Sequence, residues 1–394
     1  MSRSAPRVYL DHNATSPLRP EAREALLAAH DQTGGNPSSL HREGRAARAV
    51  VEQARERVAR LAGVTAGEVV FTSGGSEAIV SAVRGVCGRA PGNLRRIVVS
   101  ALEHSAVLQA AELAARHGFV VVRIPARPDG VVDVERFLVN IGPGVALAAL
   151  QWANNETGVV QPLQEIGAAC RAAGVPFFVD AVQAAGKLAL EPRKAAVDLM
   201  ALSGHKLGGP QGTGALIVRE GIALEPLITG GAQEKRRRGG TQSVAALAGF
   251  GAAARAALEQ MHEDTARLLR LRAKIETRLR RMCPEIRFHG ESASRLPNTV
   301  NFAVAGLPGE TLAIALDLAG FAVSTGSACA SGSIQPSHVI RAMGNDEEAA
   351  RDAVRISLGW STTREDVDRF VEIVPGVIEQ AREALAQASA PGEA

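Results

Sequence analysis

Two short apolar runs that end abruptly in polar side chains constrain this chain most. Phe177-Phe178-Val179 leads into Asp180-Ala181-Val182-Gln183, and Leu199-Met200-Ala201-Leu202 leads into Ser203-Gly204-His205-Lys206. A strand with no polar face is covered on both sides, which is the condition of a parallel sheet flanked by helices. Such strands deliver side chains to their carboxyl edge, where open α/β sheets bind ligands. Lys206 has no acidic neighbour in the local sequence, stands between His205 and Leu207, and precedes Gly208-Gly209-Pro210, a turn a ligand can approach closely. It is a candidate amine nucleophile, with Asp180 as a candidate carboxylate partner for a cationic ligand group. A lysine beside glycines is also ordinary for a solvated loop, and this stretch alone leaves both readings open.

The rest of the chain repeats the strand-then-helix pattern. Strands are predicted at 8–10, 68–72, 96–100, 119–124, 145–150, 198–203 and 215–219, and helices at 19–29, 43–62, 79–86, 104–117 and 162–174. This alternation predicts a doubly wound, mostly parallel sheet with right-handed crossovers. A long helical region over 244–282, interrupted near Gly249 and Gly251, reads as the link into a second, smaller α/β domain. Strands at 299–304, 321–324 and 354–358, with helices at 310–319 and 366–386, build that domain, and 387–394 reads as a frayed tail. The expected division is a large domain over 14–257 and a small one from 1–13 and 258–386, which suits 394 residues.

Composition excludes several classes. Aromatic residues are 3% of the chain, so no stacking surface for nucleic acid is evident, and the net charge of +3 comes from interleaved acids and bases. Cys87, Cys170, Cys283 and Cys329 form no C-x-x-C pair, so neither a metal knuckle nor a disulfide framework is expected, and no metal is predicted. No apolar run reaches the ~20 residues of a membrane span, and Met1 to Arg7 has no apolar core of signal-peptide length. A soluble, cytoplasmic protein is expected.

Three loops carry candidate chemistry. Ser73-Gly74-Gly75-Ser76-Glu77 joins a strand to a helix start, where free N–H groups and the helix dipole favour an anion; an ordinary capped turn has the same composition. Lys235-Arg236-Arg237-Arg238, flanked by glycines, reads as a solvated loop, or else as one that reaches a phosphate or another subunit. Ser324-Thr325-Gly326-Ser327-Ala328-Cys329-Ala330-Ser331 puts a thiol on a run of small residues, which suits a nucleophile as well as a chance surface cysteine.

Taken together, the sequence resembles the pyridoxal-phosphate-dependent cysteine desulfurases, on the branch that serves iron–sulfur cluster assembly. Eight ordered segments carry the resemblance: Tyr-Leu-Asp-His-Asn-Ala-Thr at 9–15, Gly-Asn-Pro-Ser-Ser-Leu-His at 35–41, Phe-Thr-Ser-Gly-Gly-Ser-Glu at 71–77, Glu-His-Ser-Ala-Val at 103–107, Ala-Asn-Asn-Glu-Thr-Gly at 153–158, Asp-Ala-Val-Gln at 180–183, Ser-Gly-His-Lys at 203–206 and Thr-Gly-Ser-Ala-Cys at 325–329. The resemblance implies a fold-type I transferase that converts L-cysteine to L-alanine. It further implies that Lys206 holds pyridoxal 5'-phosphate covalently and shuttles protons, that Asp180 keeps the pyridine nitrogen protonated, and that Gln183 bonds the ring hydroxyl. His104 would stack on the ring and assist proton transfer. Gly75, Ser76, Ser203 and His205 would hold the phosphate, with Thr241 of a neighbouring subunit, so a homodimer is implied. Asn155 and Arg355 would bind the substrate carboxylate, and Cys329 would take the sulfur as a persulfide for an acceptor protein such as an iron–sulfur scaffold. The form of the Cys329 segment resembles the long-loop type.

The chain departs from the family pattern at Ile79 and Val80, where polar residues are usual, and at Trp152, which is expected to reshape the pocket wall. Lys206 with Asp180 would also serve an aminotransferase or a selenocysteine lyase of the same fold; Cys329 is what favours sulfur transfer. A non-catalytic scaffold is disfavoured by the intact Lys, Asp, His and Cys set.

Overall fold

The computed structural model describes residues 6–325 and 335–389. The chain begins with β1 (Val8–Tyr9), α1 (Pro20–Gln32), α2 (Arg42–Ala62), β2 (Val69–Thr72) and α3 (Gly75–Arg89). It continues through β3 (Arg96–Ser100), α4 (Ser105–Ala115), β4 (Val120–Ile124), α5 (Val134–Asn140), β5 (Val145–Gln151), α6 (Leu163–Ala173), β6 (Phe177–Asp180), β7 (Leu199–Ser203) and β8 (Gly214–Val218). Then come α7 (Val244–Glu259), α8 (Met261–Met282), β9 (Ile286–Phe288), β10 (Thr299–Val304) and α9 (Gly309–Leu318). The chain closes with β11 (Phe321–Ala322), β12 (Ser324–Thr325), α10 (His338–Ala342), α11 (Glu347–Arg351), β13 (Ala353–Ser357) and α12 (Arg364–Ser389).

Seven strands form one sheet in the order β2-β8-β7-β6-β5-β3-β4, in which β8 alone runs against its neighbours. Both faces are covered, which is why the strands read as unbroken apolar runs. Phe177 and Val179 face a core shared with α2, α6 and α7, while Phe178 between them faces α3 and α4. The parallel register sets Gln151 beside Asp180 and Asp180 beside Ala201, so β5, β6 and β7 end side by side. That alignment makes the floor of the site.

The second sheet is antiparallel, in the order β12-β13-β10-β9, and packs with α8, α9 and α12 around its own apolar cluster. Val8 and Leu10 belong to that cluster through the β1–β11 pairing, so the chain leaves it directly into the Asp11–Ala14 turn at the site. Antiparallel pairing here is why this sheet carries fewer strand-then-helix signals in the sequence.

Several expectations are corrected. The helical region over 244–282 breaks at Gln260, between α7 and α8, and not at Gly249 or Gly251. Those glycines lie inside α7, where a side chain at 249 would come within 2.7 Å of Pro210 and one at 251 within 2.6 Å of the Ala54 backbone. They are there for close helix packing. The strand expected over 321–324 is two: Phe321 pairs with Val8 in one sheet and Ser324 with Arg355 in another. The closing helix continues through residues expected to fray and ends at Ser389. Finally, the basic run at 235–238 is tied down. Lys235 Nζ donates to the Gly67 carbonyl at 3.0 Å, and Arg238 pairs with Glu77 at 2.9 Å.

Candidate active site

A cavity of about 580 Å³ lies at the carboxyl ends of β5, β6 and β7. The starts of α3 and α4 form one side, and the second sheet closes the other with Ser324, Arg355 and the stretch from Gln335 to His338. Lys206 sits in the single turn that follows β7, where glycines on both sides let the chain reverse. Its Nζ donates to the carbonyls of Asn13 and Ala14, both at 2.6 Å, and has no carboxylate partner among the described residues. Burial first, and then the Arg355 charge, lower its pKa to about 8, against the pull of Asp11 and Asp180. A substantial neutral fraction is therefore present near neutral pH.

Asp180 ends β6 and accepts from the Val182 N–H at 2.9 Å. Burial pushes its carboxyl up, while His104, the Val182 N–H and Lys206 hold it down. A cation brought against it would decide the balance in favour of the carboxylate. His104 is the N-cap of α4, with Nδ1 accepting from the Ala106 N–H at 3.1 Å. Gln183 donates from Nε2 to the Asn13 carbonyl at 3.0 Å and accepts on Oε1 from Lys187 at 3.2 Å.

On the α3 side of the cavity, Gly75 and Ser76 begin α3 after Gly74, whose missing side chain leaves the helix start uncapped. A Cβ on Gly75 would lie 3.0 Å from Val182 and 3.4 Å from Ser203, so the helix start rests directly on both. Ser203 Oγ is buried with no partner among the described residues. His205 Nδ1 lies 3.0 Å from Thr15 Oγ1, and burial with the nearby Lys206 holds its pKa at about 4, so the ring is neutral. Free N–H groups at a helix start, an unpartnered buried hydroxyl and an adjacent lysine form a donor set that fits a phosphate ester. With Asp180 for a ring nitrogen and Lys206 for an aldehyde carbon, the residues present fit pyridoxal phosphate.

Arg355 in β13 gives Nη2 to Asp11 at 2.6 Å and Nη1 to the Asn155 carbonyl at 3.1 Å, and its Nε is buried without a partner among the described residues. It remains a cation at the cavity wall with donor capacity to spare.

Lys206, Asp180, Gln183, His104, Gly75, Ser76, Ser203, His205, Asn155 and Arg355 thus line one cavity. Thr241 does not; it is exposed on the surface of this single chain. Cys329 lies outside the described residues, although Ser324 and Gln335, on either side of its segment, both line the cavity. Ile79 lines the cavity as well. Trp152 is a correction: it is 8% exposed, packs in the apolar core, and forms no part of the wall. Its influence on the site runs through its N–H, which donates to the Asp180 carbonyl at 2.8 Å.

Some neighbours were not anticipated as site residues. Asn13 bridges three parts of the site, with its carbonyl taking Lys206 and Gln183 and its amide reaching Thr299 at 2.9 Å. Glu103 is fully buried; among the described residues its carboxyl accepts only from the Gln151 N–H at 2.8 Å and has its other oxygen unpartnered. Burial pushes its carboxyl far up, against the Gln151 N–H that holds it down. Glu156 lines the cavity, is raised to about 7 by burial, and accepts from the Ser337 hydroxyl. Lys187 is lowered to about 7 by burial and the charges of Lys206 and Arg355. Asn13, Glu103 and Glu156 sit inside the segments that carry the family resemblance, which was the available signal; Lys187 had none. Among the described residues no cluster of His, Cys, Asp and Glu is arranged to hold a metal, and no helix is long and apolar enough to cross a membrane.

Comparison with known proteins supplies the family. The chain is 44% identical over 378 residues to a cysteine desulfurase of Cereibacter sphaeroides, covering 95% of this chain and 97% of that one. It is 38% identical over 379 residues to the cysteine desulfurase IscS of Clostridium botulinum, covering 96% of each. Among solved structures, a NifS-like protein superposes with a TM-score of 0.88 at 32% identity, over 95% of this chain and all of that one. A structure described as SspA in complex with cysteine gives 0.79 at 30% identity, over 89% and 98% of the two chains. The family model for class-V aminotransferases matches residues 8–370. The chain therefore belongs to the class-V aminotransferase family, the pyridoxal-phosphate-dependent group that includes the cysteine desulfurases.

Proposed function

We propose that this protein is a cysteine desulfurase, which converts L-cysteine to L-alanine and passes the sulfur to Cys329 as a persulfide. The observation that carries the reading is the meeting of Lys206, Asp180, His104 and Arg355 in one cavity whose far wall is made by both flanks of the Cys329 segment. Bound pyridoxal phosphate would supply the electron sink for charge that develops on the substrate carbons. Lys206 would hold it through Nζ, Asp180 would face its ring nitrogen, Gln183 its ring hydroxyl, and His104 its ring face. The start of α3 at Gly75 and Ser76, with Ser203 and His205, would hold the phosphate. Arg355 and Asn155 would take the substrate carboxylate, which places the α-carbon near Lys206 Nζ, the group suited to take and return its proton. The Cys329 thiolate would then bond to the substrate sulfur as the carbon–sulfur bond breaks. The electron pair stays with the carbon fragment, which gains a proton and leaves as alanine.

The reading includes a homodimer. Thr241 stands away from its own cavity, on a loop anchored by Glu77 and Glu234, and is available to reach the phosphate of a second copy. It also includes a reducing, cytoplasmic setting, supported by Cys87, Cys170 and Cys283, all buried and unpaired. An acceptor protein, such as a scaffold for iron–sulfur clusters, would take the persulfide sulfur. The test is direct. Purified protein supplied with the cofactor, L-cysteine and a dithiol that reduces the persulfide should release alanine and sulfide in equal amounts, and Cys329→Ala should lower both by on the order of 10³-fold while still binding the cofactor. Full alanine release by that variant would refute the role of Cys329 and, with it, the preference for desulfuration.

A further inference from the structure

We propose that His338 is a further catalytic residue of this cavity, whose Nδ1 takes the thiol proton of the bound substrate as the sulfur is handed over. This rests on the desulfurase reading above. His338 opens α10 and lines the cavity beside Pro336. Its Nε2 lies 3.0 Å from the backbone carbonyl of Glu103. A carbonyl can only accept, so Nε2 carries the ring's proton, and a neutral imidazole then presents Nδ1 as a bare lone pair. Among the described residues nothing bonds to Nδ1, and it is not a sealed core atom.

The ring is held firmly in that pose. The preceding Ser337 donates its hydroxyl to Glu156 and accepts the Ile340 N–H at 3.1 Å. Val339, Ile340 and Met343 pack with Leu102, two residues before His104. The charged and titratable groups facing the ring are Glu103 and His104 on the turn before α4 and Arg123 on β4, with Glu156 after β5 held against the neighbouring Ser337. Partial burial comes first in lowering the ring's proton affinity; the Glu103 carbonyl opposes it, and His104 and Arg123 reinforce it. The resting ring is neutral, ready to accept.

The geometry of the substrate points to the same wall. With its carboxylate at Arg355, which pairs with Ser324 across the β12–β13 register, and its α-carbon at Lys206, an amino acid can extend its side chain to the rim built from Ser324, Gln335, Pro336 and His338. That rim also flanks the segment bearing Cys329. Of these four residues only His338 has a group that can take a proton near neutral pH. Cysteine's thiol, with an ordinary pKa near 8.5, is mostly protonated there. As its sulfur bonds to a second sulfur, the S–H becomes more acidic. The S–H bond breaks with its electron pair left on sulfur, an Nδ1–H bond forms, and the imidazolium later releases the proton to water.

A selenol is already ionised near neutral pH and has no such proton to give, which provides the control. His338→Gln keeps a donor for the Glu103 carbonyl but supplies no base. In the loaded enzyme it should lower kcat/KM for L-cysteine about 10²-fold, leave L-selenocysteine within about threefold, and remove the acid limb of the L-cysteine pH profile. His338→Ala should give the same split between substrates, and thermal unfolding of both variants reports any separate structural effect. Equal losses with both substrates, an undiminished rate with L-cysteine, or an unchanged acid limb would each overturn the proposal. Wild-type protein that forms no alanine from L-cysteine would instead refute the desulfurase reading itself, a result seen before any His338 variant is made.

Discussion

Replacing Glu234 with glutamine tests how the loop that carries Thr241 is held in place. Glu234, Lys235 and Arg236 have φ of 45°, 55° and 63°. Left-handed backbone costs about 1–2 kcal/mol per L residue, so this turn needs an anchor worth several kcal/mol. Glu234 provides it. Its carboxylate takes Arg55 Nη1 at 2.6 Å and Nη2 at 2.9 Å, the Phe71 N–H at 2.9 Å and Gln242 Nε2 at 2.9 Å. Burial alone would raise its pKa, but the hydrogen bonds and charge of Arg55 outweigh that and hold it below the usual carboxylate range. Glutamine keeps the size and removes the charge, leaving the buried Arg55 guanidinium short of a partner. Losing one member of a buried pair costs about 3–5 kcal/mol, and the lower end applies here because another carboxylate stays in reach. That carboxylate is Glu52, 3.1 Å from Arg55 Nε. Urea unfolding followed by tryptophan fluorescence should show a loss of about 3 kcal/mol at neutral pH. The loss should shrink in acid, because a carboxylate with a depressed pKa stabilises the fold above its unfolded value of about 4.3 and ceases to do so as pH falls through the folded value. Arg55→Met with Glu234→Leu should be more stable than Glu234→Gln, since no charge is then left unpaired. A single variant within about 1 kcal/mol of wild type, or a double variant no better than the single, would refute the anchoring argument.

Three other outcomes follow from the site. Borohydride reduction of the loaded protein should fix the cofactor to the peptide containing Lys206, and labelling of Lys187 instead would reverse the assignment of the two lysines. Mixing inactive Lys206→Ala and Thr241→Ala chains should restore part of the activity, because one site in each mixed dimer keeps both residues; no recovery in mixtures shown to exchange subunits would exclude the cross-subunit contact. Glu156→Gln should gain stability relative to wild type as pH rises from the unfolded carboxylate value to about 7 and level off above it, because a buried carboxyl whose folded pKa is raised favours the fold in acid and loses that advantage between those two values. A constant difference between the two proteins from pH 5 to 8 would argue against the raised pKa.

The large sheet was legible because its physics is local. Phe177 to Val179 and Leu199 to Leu202 are covered on both faces, so their composition alone marks them as central strands. The residues at the ends of those strands, Asp180, Ser203 and Lys206, were legible for the same reason. What the sequence hid depends on contacts between distant segments. The expected break at Gly249 and Gly251 ignored that glycine inside a helix also allows close packing, here of α7 on α1 and α2. The roles of Glu103 and Lys187 come from burial, which no local pattern reports for a lone charged residue. The placement of Trp152 is of the same kind: its position beside Asn154 suggested a wall residue, yet alternation along the strand end turns its ring into the core.

His104 caps the helix that follows it, and this makes its proton traffic a matter of helix stability. With Nδ1 accepting the Ala106 N–H, only Nε2 can carry the hydrogen of the neutral ring. A second proton would have to go onto Nδ1, setting one donor against another and removing the cap. An N-cap is worth about 1 kcal/mol, equivalent to about 0.7 of a pH unit, in addition to the burial that already disfavours the charged ring. The first turn of α4 thus acts as a lock on the tautomer. Nε2 is left as the nitrogen through which this ring can donate a proton, and full protonation of His104 would be felt first as fraying at Ser105 and Ala106.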